Sequence, residues 1–294
     1  MWRTAKAEDY GSAGRFAREF EASSPYLAAR LASGKLPDDG LLLLRGEPVE
    51  GAVFLSNAGL LAPLFGEAGP RLDAEGGLSG SDGAIADILG LAAFFQETRG
   101  SVATAMGPGA DLDAIGLLLG RAPFARESYF VMSRALDGAR RASAPPPCGA
   151  PPAKFLRPGE LPALLELQRA FEEAELSQTG EAFDGEAAMG RLARRQAEGG
   201  LFGLKGEGGY LAKCEVDARC FDHWLIGGLV VEPAWRGKGL GRAMMEALCA
   251  SAFEAGKGAL LIVRPGNEGA IRLYASLGFA RAPRPEEFRI AWYR

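Results

Sequence analysis

The stretch Leu225–Leu248 reads LIGGLVVEPAWRGKGLGRAMMEAL and combines an apolar run with a glycine-rich turn. Its opening, LIGGLVV, is almost continuously apolar, which is typical of a strand covered on both faces. Pro233 ends the strand, because proline has no N–H to give to a sheet ladder. From Leu240 onward, apolar residues fall at helical spacing. The stretch therefore predicts a buried strand, a tight turn and a helix.

The predicted turn, Arg236–Arg242, is basic and rich in glycine, with the sequence RGKGLGR. The start of a helix presents unpaired backbone N–H groups and a partial positive charge. Glycines lack the Cβ atoms that would keep a phosphate away from the backbone. The pattern favours a site for a diphosphate. A glycine turn with solvated basic side chains is the alternative, and the motif by itself leaves it open.

Two other phosphate-binding loops do not fit this turn. A P-loop requires Gly-x-x-x-x-Gly-Lys-Ser/Thr, but Gly237-Lys238 is followed by Gly239, and Glu232 stands where the first glycine should be. A dinucleotide fingerprint requires Gly-x-Gly-x-x-Gly, and here the third glycine, Gly241, comes one place early. Both classes of nucleotide site are therefore excluded at this turn.

The run Arg236-Gly237-Lys238-Gly239-Leu240-Gly241 resembles the Arg/Gln-x-x-Gly-x-Gly/Ala signature of the GNAT superfamily of acyl-CoA-dependent N-acyltransferases. A second family block follows it in the right order: a strand at Ala259–Val263, then Asn267, Leu273-Tyr274 and Leu277-Gly278-Phe279. The resemblance covers roughly residues 153–294. It implies an α/β fold with a mixed α+β sheet, the GNAT fold, in the carboxy-terminal half.

A proline-rich segment, ASAPPPCGAPP at residues 142–152, predicts a linker between two domains. Residues 1–141 repeat a thinner version of the element order of the second half but lack its glycine turn. They resemble the amino-terminal modules of two-domain bacterial GNAT proteins. We therefore expect a degenerate GNAT-like amino-terminal domain at 1–141 and a catalytic GNAT N-acetyltransferase domain at 153–294.

Periodicity and turn residues predict the remaining elements. In the first half we expect helices at Ala13–Phe20, Pro25–Leu31, Gly83–Thr98 and Asp111–Leu119, a hairpin across Leu41–Ser56, and strands at Ser101–Met106 and Glu127–Ser133. In the second half we expect helices at Gly159–Glu175 and Glu186–Glu198, a hairpin across Leu201–Val216, and a last strand at Phe288–Tyr293.

Composition limits the classes of function. The net charge is −4 and the pI near 5.4, so the chain is not a general nucleic-acid binder. The single histidine, His223, argues against a histidine metal cluster, and we expect no metal. The chain has no apolar signal region and no apolar run that could span a membrane, so we expect a cytoplasmic protein. Its four cysteines form no CxxC pair and are expected as free thiols.

The resemblance also implies how acetyl-CoA is held. In the family the central strand separates from the next strand, and the pantetheine arm lies in the gap against strand backbone. The diphosphate is expected on the amides of the glycine turn. Asn267 has a second reading as the N-cap of the following helix, and both readings stand. The residues expected to bind the co-substrate are Leu229, Val230, Val231, Arg236, Gly237, Lys238, Gly239, Leu240, Gly241, Arg242, Asn267 and Tyr274.

Tyr274 is the candidate general acid, because a departing thiolate must gain a proton and the family places a tyrosine here for that role. A core aromatic is the alternative for this residue. The general base is open: Glu215 and Glu232 are the candidates, with Asp222 beside them. A further pair, Glu172-Glu173, is placed to bind a cationic acceptor.

The sequence therefore predicts an acyl-CoA-dependent N-acyltransferase that moves an acetyl group to a primary amine by direct attack. The amine acceptor is a small molecule or a peptide, and the sequence does not distinguish between them. A non-catalytic acyl-CoA sensor or interaction protein is the rival, since one half is degenerate and no base is obvious. An enzyme for longer acyl chains is a third reading. Monomer and homodimer both remain open.

Overall fold

The computed structural model describes residues 1–36, 38–66, 69, 71–72, 78–79, 89–92, 94–95, 102–136, 154–155, 158–175, 179–285 and 287–294. The chain forms two compact units, one of Met1–Val131 with Arg281–Arg294 and one of Met132–Ala280. The predicted linker at 142–152 lies outside the described residues, as does most of the predicted helix at Gly83–Thr98, of which residues 89–92 and 94–95 are helical.

The first unit begins with a short strand, two helices and a three-stranded meander. Its elements are β1 (Trp2–Thr4), α1 (Tyr10–Glu19), α2 (Pro25–Ser33), β2 (Gly40–Arg45), β3 (Gly51–Ser56), β4 (Leu60–Leu64), β5 (Arg71–Leu72), β6 (Leu78–Ser79), β7 (Thr104–Pro108), α3 (Gly109–Leu119) and β8 (Ala125–Arg134), whose last residues pass into the second unit. The chain between 58 and 65, ambiguous in sequence, supplies β4.

The second unit follows the order helix, helix, hairpin, strand, helix, strand, helix. Its elements are β9 (Lys154–Phe155), α4 (Leu165–Glu175), α5 (Gly185–Ala197), β10 (Leu201–Gly206), β11 (Gly209–Arg219), β12 (His223–Val231), α6 (Leu240–Glu254), β13 (Gly258–Val263) and α7 (Glu268–Ser276); β14 (Ala280–Arg281) crosses its boundary and β15 (Phe288–Trp292) closes the chain. Helix α4 begins later than predicted, because Pro162 lies in a 3₁₀ segment, Pro158–Leu164, before it.

The sheet of the second unit runs β13-β12-β11-β10-β9. β12 pairs parallel with β13 and antiparallel with β11, which in turn pairs antiparallel with β10. Helix α6 buries an apolar face that includes Leu240, Met244 and Leu248, the residues that predicted it. A cluster of Leu161, Leu164, Leu167, Leu192, Leu201 and Val230 fills the opposite side, under α4 and α5. The central strand is therefore covered on both faces, as its composition predicts.

The sheet of the first unit runs β1-β2-β3-β4-β7-β15-β8. β4 and β7 pair in parallel, and the other neighbours are antiparallel. Helix α3 contributes Leu112, Ile115 and Leu119 to the core of this unit. The parallel pair β4·β7 has the same place in the order of elements as β12·β13 in the second unit. The repeat expected from the sequence is thus present in the fold.

The last strand, β15, lies in the first unit rather than at the end of the second. It pairs along its whole length with β7 on one side and β8 on the other. Phe288, Ile290 and Ala291 are buried there. Residues 281–294 were expected in the second domain, since they follow it in the chain. Chain order alone does not reveal which sheet a strand joins.

In the part of the chain that the structure describes, none of the helices combines the length and the apolar content that crossing a membrane requires.

Candidate functional site

Strands β12 and β13 separate halfway along β12. Their parallel ladder joins His223 through Ile226 to Gly258 through Leu261 and ends there. β12 nevertheless continues to Val231, and β13 to Val263. The gap implied by the resemblance to GNAT proteins therefore opens beyond Ile226. The backbone of Leu229, Val230 and Val231, the predicted neighbours of the pantetheine arm, lies along it.

A double bulge marks the point of separation. The register of β11 with β12 shifts between Lys213 and Glu215, and again between Val216 and Ala218. On β12 the shifted residues include Gly228, whose φ of 58° lies in the left-handed region that only glycine adopts freely. Bulges bend the strand that carries them and re-aim its groups. Here the bulge follows directly on Ile226, where the ladder to β13 ends.

The glycine turn leads from the gap to the start of α6. Gly239 is the N-cap of this helix with φ 82°, and Gly237 has φ 75°. A Cβ built on Gly237 would have no heavy atom within 4 Å, so the space over this backbone is open. The N–H groups of the first turn of a helix have no carbonyl partner within the helix. The turn thus offers amides and a dipole to an anion and has room for it, so it fits a diphosphate.

The basic side chains of the turn are held at its edges. Arg236 donates to the Val231 carbonyl at 3.1 Å, and Lys238 Nζ lies 4.3 Å from the centre of the Trp235 ring. Arg242 donates to Ser276 Oγ at 2.6 Å. Each of the three cations of the turn therefore has a contact of its own within the chain.

Helix α7 carries the second predicted block. The side chain of Asn267 accepts from the N–H of Ala270 at 3.2 Å, which confirms the N-cap reading. Gly278 follows the helix end with φ 87°, in the left-handed conformation expected of it. Phe279 lies 6.0 Å from the Tyr274 ring, centre to centre. The block therefore has the local structure that its residues predict.

Tyr274 is buried, with 9% of its surface exposed. Burial raises the pKa of its phenol well above the ordinary value, and the Cys214 thiol and Glu175 carboxylate act in the same direction. The phenol is therefore protonated across the physiological range, as a proton donor must be. Cys214 is itself a free, buried thiol, as is Cys249.

Glu215, one of the two candidate bases, belongs to a buried ion pair. Lys213 Nζ, fully buried, donates to Glu215 Oε1 at 2.8 Å and to the Gly228 carbonyl at 3.2 Å. Burial opposes ionisation of Glu215, but the charges of Lys213, Arg195 and Arg191 outweigh it and hold its pKa below the ordinary value. Glu215 is thus an ionised structural partner, and a carboxylate held in that state is a weak proton acceptor.

Asp217, two residues further along β11, was not singled out by the sequence. Its carboxylate lies 3.4 Å from Arg195 and 24% of its side chain is exposed. Desolvation and the neighbouring Glu215 carboxylate raise the pKa of Asp217 to about 7. In sequence, the Lys-x-Glu-x-Asp alternation that contains Asp217 is typical of the solvated face of an edge hairpin. Only the packing of α4 and α5 over β11 shows that this face is covered.

The other acidic candidates lie elsewhere. Glu232 is half-buried at the end of β12, and its backbone N–H donates to the Leu211 carbonyl at 2.9 Å. Glu172 is buried in a salt bridge to Arg191 of 2.6 Å, and Glu173 is exposed. Glu172 is therefore already neutralised by this chain's own arginine. Among the described residues, no three metal-binding side chains are grouped to hold an ion.

The first unit has a cavity of its own, of about 630 Å³, between the end of β4 and the start of α3. Asp111, Asp113, Glu287 and Arg289 are among its lining residues. Arg289 is bonded to both Asp113 and Glu287, and Asp111 accepts from the Phe65 N–H at 2.9 Å. The charges of Arg289, Asp113 and Glu287 thus engage one another, and Asp111 binds the backbone.

One protein-family model matches part of the second half of the chain. Residues 162–279 match the model of the acetyltransferase (GNAT) family. This range runs from the segment before α4 to Phe279 and contains both sequence blocks. No curated protein matches the sequence.

Solved structures with the same fold cover the whole chain. A GCN5-related N-acetyltransferase from Sphaerobacter thermophilus is 15% identical with a TM-score of 0.56, over 99% of this chain and 93% of that one. A GNAT-family acetyltransferase from Colwellia psychrerythraea is 15% identical, with a TM-score of 0.53 over 99% and 98%. A tandem GNAT protein from the clavulanic acid biosynthesis pathway is 16% identical, with a TM-score of 0.54 over 99% and 98%. At these identities the likeness establishes the fold, and it extends over both halves.

Proposed function

We propose, from the premise that residues 162–279 form a GNAT acetyltransferase domain, that this chain transfers an acetyl group from acetyl-CoA to a primary amine. The observation that carries the proposal is the gap beyond Ile226, which leads from the bulge in β12 to the amides at the start of α6. A strand gap and an anion site joined in this way suit a ligand with an extended arm and a diphosphate.

The gap and the glycine turn each have a role in binding acetyl-CoA. The backbone of Leu229, Val230 and Val231 bonds to the pantetheine arm along the gap. The amides of Gly237–Arg242 hold the diphosphate, which the positive end of the α6 dipole and the nearby Arg236 and Lys238 favour. Asn267 caps α7, the helix that carries Tyr274.

Acetyl-CoA supplies its acetyl group as a thioester, so that a C–N bond to the acceptor replaces the C–S bond. The Tyr274 phenol gives its proton to the sulfur as the thiol leaves. Its raised pKa keeps that proton in place until it is needed. Glu215 and Glu232 are the proton acceptors proposed from the sequence. The ion pair with Lys213 argues against Glu215 as the proton acceptor. Glu232 lies just before the glycine turn in the chain.

Turnover with simple amines tests the proposed function. The full chain, incubated with acetyl-CoA and a panel of primary amines including glycinamide, spermidine and Nα-acetyl-lysinamide, should release CoA and yield the N-acetyl product by mass spectrometry. Propionyl- and longer acyl-CoA thioesters run beside it measure acyl preference. Saturable binding of acetyl-CoA without release of CoA would instead support the sensor reading. Absence of both would refute the proposal.

A further inference from the structure

We propose that Asp217 is the group that takes the proton from the acceptor amine in this enzyme. The inference rests on the proposed function and names its missing base. It starts from the packing of β11 against the bulge of β12, where a carboxylate comes to lie directly on the strand backbone at the head of the gap.

Two adjacent glycines of β12 each make room for a carboxylate of β11. A Cβ built on Gly227 would overlap Asp217 Oδ2, and one built on Gly228 would overlap Glu215 Oε1. Any other residue at either position would displace the carboxylate. The ladder to β13 ends at the residue just before this pair of glycines. Both carboxylates therefore lie on the backbone where β12 begins to leave β13.

The two carboxylates differ in what surrounds them. Glu215 is almost fully buried and accepts a hydrogen bond from Lys213, which also fixes the Gly228 carbonyl. Asp217 has 24% of its side chain exposed, and its charged contact is Arg195, at a longer 3.4 Å. Glu215 therefore stays ionised and holds the bulge. Asp217 can exchange a proton with a ligand or with solvent.

The charges around Asp217 come from three elements. Glu215 and Lys213 share its strand, Arg195 reaches it from α5, and Glu175 lies at the end of α4. Desolvation and Glu215 raise its pKa to about 7, and the cations only partly oppose them. A base works best when its pKa lies near the working pH, since it is then both available and strong enough to hold a proton. The Glu175 carboxylate also acts in the direction that raises the pKa of the Tyr274 phenol.

The proton balance is complete with these two residues. The acceptor arrives as an ammonium ion and gives one proton to the Asp217 carboxylate, which frees the nitrogen lone pair. The new C–N bond forms as the C–S bond breaks, and the sulfur takes the Tyr274 proton. The second nitrogen proton restores the phenol through water, and Asp217 releases its proton to solvent. One acetyl group moves and one proton is released for each ammonium acceptor.

The kinetic test compares two acceptors that differ in charge. Nα-acetyl-lysinamide is protonated at neutral pH, and methoxyamine is not. Asp217→Asn should lower kcat/KM for the lysine derivative by about 10²–10³-fold and leave that for methoxyamine within about twofold, because a neutral amine needs no base before attack. Asp217→Glu should recover part of the loss. Glu207→Gln, a carboxylate change in the turn between β10 and β11, is the matched control and should leave both rates unchanged.

A second readout needs no turnover. An acid whose pKa is higher in the folded chain binds more protons when folded, so its ionisation lowers stability as pH rises from about 4, its unfolded pKa, towards the folded value of about 7. Asparagine does not titrate. The melting temperature of Asp217→Asn minus that of the wild type should therefore increase between pH 5 and pH 8, while the shift produced by acetyl-CoA is the same for both proteins.

The outcomes separate the two proposals. An equal loss for both acceptors, unchanged kinetics in Asp217→Asn, or a melting difference that is flat with pH would overturn the role of Asp217 and leave the acetyltransferase proposal standing. A wild type that neither binds acetyl-CoA nor acetylates either probe would overturn both. The selective loss together with the pH-dependent melting difference would establish Asp217 as the proton acceptor.

Discussion

Among single residues, Gly228 is the one that permits the bulge of β12. Its φ of 58° is left-handed, and the space where a side chain would go is filled by Glu215. Gly228→Ala should therefore lower the free energy of unfolding by about 2–4 kcal/mol, through backbone strain and overpacking together. Urea unfolding measures it. Gly208→Ala is the control, since a methyl group added there would meet no heavy atom within 4 Å; equal stability of the two variants would contradict this account of the bulge.

The Tyr274→Phe variant tests the proposed role of Tyr274 as the general acid. Tyr274→Phe keeps the ring against Phe279 and removes only the hydroxyl. We expect kcat to fall by about 10²-fold while the melting shift produced by acetyl-CoA is kept. Because burial raises the pKa of Tyr274, the wild-type rate should show no loss at alkaline pH from ionisation of this phenol up to about pH 10. A variant with full activity would leave Tyr274 as a core aromatic.

The local conformations at the candidate site were predictable from the sequence at some residues and not at others, for an identifiable reason. Asn267, Gly278 and the glycines of the turn carry their signals locally, in capping and turn chemistry, and the structure has those local conformations. Lys213 and Asp217 carry no local signal, because alternating charges along a strand are equally typical of a solvated face. Their roles depend on which helices cover β11, a tertiary fact that periodicity does not contain.

At the scale of elements, the pair β11·β12 depends on a buried charge network. Lys213→Met leaves Glu215 buried and without its closest cation, and should cost about 3–5 kcal/mol of stability. The double variant Lys213→Met/Glu215→Gln removes the orphaned charge and should recover a substantial part of that loss. A double-mutant cycle by chemical unfolding gives the coupling. Strictly additive effects would show that the two side chains do not act as a pair.

The central strand, turn and helix were predictable because the residues at the ends of each element indicate where it begins and ends. A run of apolar residues ends at Pro233, and the helix begins where positive-φ glycines end. The start of α4 was less predictable, since Pro162 permits a 3₁₀ segment or a first helical turn equally well in sequence. The register shift of β11 against β12 was not predictable, because it depends on pairing between strands.

At the scale of the whole molecule, the last strand belongs to the sheet of the first unit. Deleting residues 287–294 would remove the partner that lies between β7 and β8 and would expose the apolar groups around Phe288, Ile290 and Ala291. Burying those side chains stabilises the unit by about 4–8 kcal/mol. Hydrogen exchange should show the amides of β7 and β8 losing protection in the deleted chain. Unchanged protection there would contradict this placement of β15.

The division of the chain into two units could not be predicted from local sequence signals. The proline-rich run at 142–152 is a sound signal for a linker, but it says nothing about a strand that returns to the first unit more than a hundred residues later. The mostly apolar sequence of Phe288–Trp292 fits an inner strand of either sheet.

Thermal melting of the full chain tests the acetyl-CoA site without requiring turnover. It is measured with and without acetyl-CoA, for the wild type and for Gly239→Glu/Gly241→Glu. A ligand that binds the folded chain raises the melting temperature by mass action. We predict a saturable rise for the wild type and its loss in the double variant, whose carboxylates repel the diphosphate at the start of α6. A wild type without any rise, or a double variant with the same rise, would contradict the acetyl-CoA site and with it the proposed function.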